Sequence, residues 1–434
     1  MRMILNIGTG RFTGRRAAGA CADSWLALAW ALALALVMGA AAVPAQTQSE
    51  LEELRQELEA LRERVDMLGP GPAGDSGVRL GGYAEMHYNA PEEGTTQLDF
   101  HRFVLSISKP IGDWIFFNSE IELEHGFVND GDGALELEQA YLDFFLGSGL
   151  SARAGVILAP VGIVNPRHEP TTFYGVERPA FHKSIIPTTW FDHGAGLLGN
   201  FGGVSFEAYL MSPLDASQFR GQDGIRAGRQ KAHKSETESL ALTGAVRYRA
   251  PGLSLGGSFW RGNSISAAVR DCARGGVDDG TGTIAPREGC VNTAAVDLDS
   301  VVVQLFALEF EFDANPFQVR AEYATGTIEN SGKLNQLFGN NASSAFDGFY
   351  IEPALRFFTQ SGHEYGFFVR FEDVNPQADV EQGSPDDTLN FITTVVGANY
   401  WPHPDVVLKA DVASIEPDEG DSTTGYNLGV GWVF

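Results

Sequence analysis

One property restricts the fold of this chain more than any other. From Val78 to the last residue, segments of about ten residues alternate apolar with polar side chains, and no helical period intervenes. In the final segment Tyr426, Leu428, Val430, Trp432 and Phe434 share one face, while Asn427, Gly429, Gly431 and Val433 share the other. An apolar face with aromatics at both ends suits lipid, and a small or polar face suits a water-filled lumen. A half-buried strand of a soluble sandwich would alternate too. Such a protein has no need of an acidic ladder opposite aromatics repeated along its whole length. Residues 115–124 show that ladder, with Ile115, Phe117, Ile121 and Leu123 opposing Asn118, Glu120, Glu122 and Glu124.

Sixteen such segments lie near 78–89, 98–109, 115–125, 135–146, 150–158, 192–201, 204–212, 240–249, 253–262, 301–312, 317–325, 347–357, 363–373, 389–400, 406–413 and 425–434. Short connections fall at 110–113, 147–149, 202–203, 250–252, 313–316, 359–362 and 401–405, and every other connection is expected to be longer. The pattern predicts an all-β fold, a transmembrane antiparallel β-barrel of about 16 strands over 78–434, with short periplasmic turns and long outer loops. A barrel of that size is too wide for side chains to fill, so an aqueous channel is expected. The mean hydropathy of -0.09 is no objection, because only alternate residues have to meet lipid. The terminal Phe434, with apolar residues at every second position before it, resembles the C-terminal recognition strand of bacterial outer-membrane proteins.

At the other end, Arg2, Arg11, Arg15 and Arg16 precede an apolar run over 25–43, and small residues around Ala45 stand at cleavage spacing. A signal peptide over 1–45, cut after Ala45, is expected; an uncleaved anchor is the alternative. Its removal would take away four Arg, one Asp and Cys21, leaving 26 basic and 55 acidic side chains, a formal charge of -29 against -26 for the whole chain. Nucleic acid is not expected as a partner of so acidic a chain. Within 46–68, Leu51, Leu54, Leu58, Leu61, Val65 and Leu68 recur at spacings of three and four, and Ser49 with Glu52 forms a capping box. Glu50 and Glu57 at g positions would meet Arg55 and Arg62 at e positions of a parallel neighbour, which predicts a parallel homo-oligomer joined by a periplasmic coiled coil. Leu at both a and d does not choose the number, and a homotrimer is expected because outer-membrane barrels of this size commonly associate in threes. A Gly/Pro linker over 69–77 follows, opened by Gly69-Pro70-Gly71-Pro72.

Cys272 and Cys290 both lie in one long outer connection, and a disulfide between them is expected in an oxidising compartment. No catalytic motif is found: there is no Gly-x-Ser-x-Gly elbow, no His-Glu-x-x-His and no Cys or His pair at metal spacing. Asp130-Gly131-Asp132-Gly133 fails as a calcium loop, because Val128 and Gln139 occupy ligand positions. Neither a cofactor nor a metal is expected. His87, Asp99 and His101 are scattered residues that an enzyme reading would have to bring together.

Residues 160–190 differ from the other connections. Five prolines and several aromatics stiffen them, and they carry Arg167, His168, Glu169, Glu177, Arg178, His182 and Lys183, which suits a segment folded against the lumen wall as a constriction. Here the chain resembles the porin family named for the phosphate-selective porins O and P. The likeness rests on the coiled coil, the strand count, Asp99-Phe100-His101-Arg102-Phe103, Glu138-Gln139-Ala140-Tyr141, residues 165–178 and Ile185-Ile186-Pro187-Thr188-Thr189-Trp190. It implies an outer-membrane porin that is not an enzyme, and it leaves the solute open.

The inward faces hold nine basic and thirteen acidic residues, which either set up a transverse field or pair with one another. The constriction leans basic, and a mild anion preference is expected, strengthening as His168 and His182 charge below neutral pH. Arg220, Arg226, Arg229, Lys231, His233 and Lys234 cluster in the next long connection. That loop either dips inward and collects anions at the mouth or stays outside the barrel against lipopolysaccharide phosphates or a neighbouring subunit, and the outside placement is the expectation. The expected partners are thus outer-membrane lipids, lipopolysaccharide, other copies of the chain, and small hydrophilic solutes or ions. A solute-specific channel, a barrel enzyme and an envelope-tethering protein are the alternatives.

Overall fold

The computed structural model describes residues 77–129, 132–278, 284–285, 287–292, 294–359 and 362–434. The expected signal peptide with its Ala45 cleavage, the coiled coil over 46–68 and all but the last residue of the linker lie outside the described residues. Among the described residues sixteen strands close one barrel. They are β1 (Arg79–Pro91), β2 (Gln97–Ile111), β3 (Ile115–Asn129), β4 (Asp132–Gly147), β5 (Leu150–Leu158), β6 (Phe191–Phe201), β7 (Val204–Met211) and β8 (Ala241–Ala250). The second half comprises β9 (Leu253–Asn263), β10 (Val302–Ala314), β11 (Phe317–Ile328), β12 (Ala345–Phe358), β13 (Glu364–Asp379), β14 (Phe391–His403), β15 (Val406–Pro417) and β16 (Thr423–Val433).

Each strand pairs antiparallel with the next, and β16 seals the barrel against β1 from Tyr83 opposite Val433 to Pro91 opposite Gly425. The last residue completes the ladder: Phe434 N donates to Gly82 O and Gly82 N donates to Phe434 O, both at 2.9 Å. A β-carbon on Gly82 would lie 2.0 Å from Val104 O and 2.9 Å from the Phe434 ring, so glycine lets that terminus dock. Outside, Leu80, Tyr88, Leu98, Phe103, Leu135, Phe306, Leu308, Phe367 and Leu428 are exposed, a belt that only hydrocarbon would cover.

One end of the barrel carries tight turns, such as Gly202-Gly203 with φ of 55° and 88°, the left-handed geometry a two-residue hairpin demands. The other end carries the long connections. The expected alternation fails between β3 and β4, whose strands run on to Asn129 and from Asp132 and leave two residues between them. Among the described residues the long connections hold three α-helices, α1 (Phe181–Ser184), α2 (Ala267–Ala273) and α3 (Ser331–Phe338). Cys272 of α2 is bonded to Cys290 with their Cα atoms 5.6 Å apart, as expected from the sequence.

Two bulges matter for the interior. Between β1 and β2 the register shifts at Glu85/His87, which turns both His101 and Arg102 inward, while between β3 and β4 it shifts at Glu120/Ile121, beside Glu138 and Gln139. These are the positions of two motifs that carry the family resemblance. The interior is not an empty lumen. Segments 159–190 and 212–240 fold into it, and Trp190, Phe181, Ile185, Ile186, Leu214 and Phe219 form a buried cluster with Trp260, Tyr350 and Phe346 of the wall.

Candidate constriction and lumen lining

The inward segment starts from a stapled neck. Ala159 N donates to Trp190 O at 2.8 Å. Asn165 clasps both ends, donating to Ala159 O at 2.7 Å and Trp190 O at 3.2 Å and accepting from Trp190 N at 2.7 Å. Apolar burial then holds the returning half: the Trp190 and Trp260 rings stand 4.3 Å apart and Phe181 packs on Tyr350 at 5.6 Å. Each such side chain contributes about 1.5–3 kcal/mol by leaving water.

The remaining problem is the backbone, since irregular chain at membrane depth needs a partner for each peptide group. The charged wall supplies them. Arg247 donates to Pro160 O and Gly162 O at 3.0 and 3.1 Å, and Lys409 donates to Phe173 O and Gly175 O at 2.9 and 2.8 Å. Asn399 donates to Tyr174 O at 2.8 Å, and Arg320 donates to Thr172 O. Carboxylates take the N–H groups: Asp411 accepts from Val176 at 2.6 Å, Glu372 from Phe181 at 2.9 Å and Glu322 from Ile163 at 3.3 Å. The same charges also pair, Arg247 with Glu309 at 2.7 Å, Arg370 with Glu372 at 2.9 Å and Arg153 with Asp143 at 2.7 Å. Of the two uses foreseen for the mixed wall charges, pairing is the one observed here, together with a third, the anchoring of a loop.

The inward glycines of β16 have the same explanation. A β-carbon on Gly431 would lie 2.6 Å from Pro170 Cβ, and one on Gly429 3.1 Å from Val176 Cγ1. They are small because the loop packs on them, not because water does.

The seven residues expected at the constriction divide into two groups. His168 is buried 3.4 Å from Glu138 and contacts Asn165 O through Nδ1 at 3.0 Å, while His182 is buried 2.8 Å from Glu322. Burial alone would depress the His168 imidazole, but the hydrogen bond and charge of Glu138 outweigh it and raise it to about 9. With its pKa raised, His168 adds less charge on going below pH 7 than an ordinary imidazole would. Arg178 donates to His168 O at 3.1 Å, and Glu169 is half-buried. Arg167, Glu177 and Lys183 are exposed; Arg167 pairs with Glu311 at 2.6 Å and Glu177 contacts His87 at 2.9 Å.

The second basic group was expected outside the barrel, and the structure divides it. Arg226 and Arg229 turn inward and donate to Thr188 O and Thr189 O, and Lys231 pairs with Glu136 of β4. Burial and then the neighbouring Arg229 charge pull Arg226 down to about 9. Unsatisfied carbonyls at the loop's return draw these side chains in. Arg220, His233 and Lys234 stay exposed. The structure brings together one grouping that the sequence leaves scattered: His87, Asp99 and His101 converge, with His125, which sequence reading did not single out, beside Glu177. Its signal was strand adjacency, hidden by the β2 bulge.

The chain is 30% identical over 397 residues to an uncharacterized protein of Aquifex aeolicus (strain VF5), a match covering 84% of this chain and 83% of that one. No family model matches the chain. Among solved structures, the anion-selective porin from Comamonas acidovorans superposes with a TM-score of 0.51 at 11% identity, covering 83% of this chain and 100% of that one. The outer membrane channel DcaP of Acinetobacter baumannii gives 0.51 at 12%, covering 84% and 99%. OmpT of Vibrio cholerae in its trimer form gives 0.51 at 10%, covering 82% and 99%. At these identities the likeness to solved structures is one of fold.

Proposed function

Because the chain belongs to one family with its Aquifex aeolicus relative and has the fold of porin barrels, we propose that it is an outer-membrane channel for passive diffusion of small hydrophilic solutes and ions. The observation that carries this reading is the pairing of an apolar exterior with a charged interior in which residues 160–190 narrow the lumen without belonging to the wall. A barrel built only to tether the envelope has no use for an interior loop held by more than six wall side chains.

The finer reading is a weak anion preference. Among the constriction residues whose side chains reach solvent, Arg167 and Lys183 are basic and Glu177 is acidic. This agrees in sign with the selectivity named for the Comamonas acidovorans barrel. The motifs shared with the phosphate-selective O and P family support membership of that group. Its solute is not carried over, because Arg247, Arg320, Arg370 and Lys409 are occupied by carbonyls and carboxylates. A parallel oligomer joined by coiled coils over 46–68, facing the periplasm, is supported by the charge pattern of that segment, and we take its number to be three. OmpT offers a trimeric precedent for the fold.

Planar-bilayer recording of the purified chain tests the reading. Discrete conductance steps, with a reversal potential displaced modestly toward the anion potential across a salt gradient, are expected. A folded barrel that inserts and carries no current would refute it.

A further inference from the structure

We propose that the lumen holds a binding site for a divalent first-row transition ion, formed by His87, His101 and Glu177 with Asp99 and His125 beside them. One donor atom from each of His87, His101 and Glu177 lies within 4.8 Å of the other two, and the same holds for Asp99, His101 and His125. His101 is common to both sets. The residues come from β1, β2, β3 and the inward loop, so four stretches of chain meet at one point.

The backbone is irregular where it delivers two of these histidines. The β2 bulge turns His101 inward next to Arg102, and its ring stacks on His87 at 4.5 Å. His125 has a φ of 59° followed by Gly126 at 65°, a left-handed kink inside β3 that brings its Nδ1 to 2.8 Å from Asp99 Oδ2. Regular strands would point neither side chain here. Bulges that re-aim a side chain recur beside functional sites.

The donors define the ligand. Imidazoles with one carboxylate suit zinc, cobalt, nickel or copper, whereas calcium and magnesium require mainly oxygen. Asp99 plays the part of the outer carboxylate, since its Oδ2 also stands 3.1 Å from His101 Nδ1, which leaves the other ring nitrogen for an ion. Donors around a tetrahedral zinc stand roughly 3.4 Å apart. The donors already lie within 4.8 Å of one another, with Glu177 2.9 Å from His87, so small turns of the exposed Glu177 side chain and the His101 ring reach that spacing. An ion bound there would join the loop tip to β1 and β2 and narrow the passage.

The untagged full-length chain in detergent is titrated with Co²⁺ and followed by its visible absorption. The site predicts one equivalent of a four- or five-coordinate spectrum, displaced by Zn²⁺ and not by equal Mg²⁺ or Ca²⁺. His101→Ala should abolish the spectrum and Glu177→Gln should weaken binding at least tenfold. His403→Ala, at an exposed turn, should change neither. Unaltered Co²⁺ binding in His101→Ala, equal displacement by Mg²⁺, or no spectrum from the folded protein would overturn the proposal. The spectrum does not depend on current: a protein that conducts but binds no Co²⁺ loses only the site, and one that binds Co²⁺ but never conducts loses only the channel. Where both hold, Zn²⁺ should lower the conductance of the wild type and leave that of His101→Ala unchanged.

Discussion

Replacing Lys409 by methionine tests whether the wall charges seat the loop. The Nζ of Lys409 donates at 2.9 Å to Phe173 O and at 2.8 Å to Gly175 O, and it lies 3.7 Å from the centre of the Phe173 ring. Methionine keeps the stem and removes the donors, leaving two buried carbonyls unpaired at about 1–3 kcal/mol each. Relief of the ammonium's own burial offsets part of that loss. A net cost of about 3 kcal/mol lowers the seating constant of this stretch by on the order of 100-fold. The Val176 amide, donating to Asp411 at 2.6 Å, reports directly on seating. Hydrogen exchange followed by mass spectrometry should show its protection falling on the order of 100-fold in Lys409→Met, with the barrel strands unchanged. In single-channel records the variant should flicker to larger substates. If the Val176 amide stays as protected as in the wild type, Lys409 does not seat the loop and the reasoning fails.

Because the His168 imidazole is raised to about 9 from an ordinary 6.5, the stability it contributes is full below pH 6.5 and is lost as pH rises through 9, up to about 3 kcal/mol. Glu138 and Glu120 favour its charge and Arg102 opposes it. Thermal melts of the wild type should fall between about pH 6.5 and 9, and His168→Gln should lose that slope. Cys272→Ser opens the disulfide that closes a loop of 18 residues' separation and should destabilise the outer connection by about 3 kcal/mol, read as earlier proteolysis there with conductance unchanged. Gly431→Leu should push against Pro170 and raise conductance, since even a β-carbon would stand 2.6 Å from it; an unchanged current would mean that the loop does not rest on β16. Arg167→Ala and Lys183→Ala together should reduce the anion preference measured by reversal potential, and no change would shift the origin of selectivity to the wall.

The barrel was legible in the sequence because its determinant is local. Period-two alternation marks each strand without reference to its neighbours, and the segment at 150–158 coincides with β5. Strand ends were less legible where they run beyond the membrane belt: β13 extends to Asp379, past the apolar stretch that revealed it. The inward loop was recognisable from its prolines and aromatics. The task of the wall charges was not, because Lys409 and Phe173 are 236 positions apart and the hydrogen bond joins a side chain to a backbone carbonyl, which carries no sequence signal. The bulge at His101 and the left-handed kink at His125 hid the histidine grouping for a related reason, since a local irregularity changes which side chains face inward.

The central claim is that residues 160–190 occupy the lumen and set the cross-section of the channel. Single-channel conductance of a chain lacking residues 171–182, recorded beside the wild type in the same salt, tests it most directly. This stretch carries the carbonyls held by Lys409, Asn399 and Arg320 and the amides held by Asp411 and Glu372, so its removal takes the inward loop's wall-anchored part out of the lumen without cutting a strand. The account predicts a conductance severalfold above the wild type in a barrel that remains heat-modifiable. An equal conductance from such a barrel would contradict it.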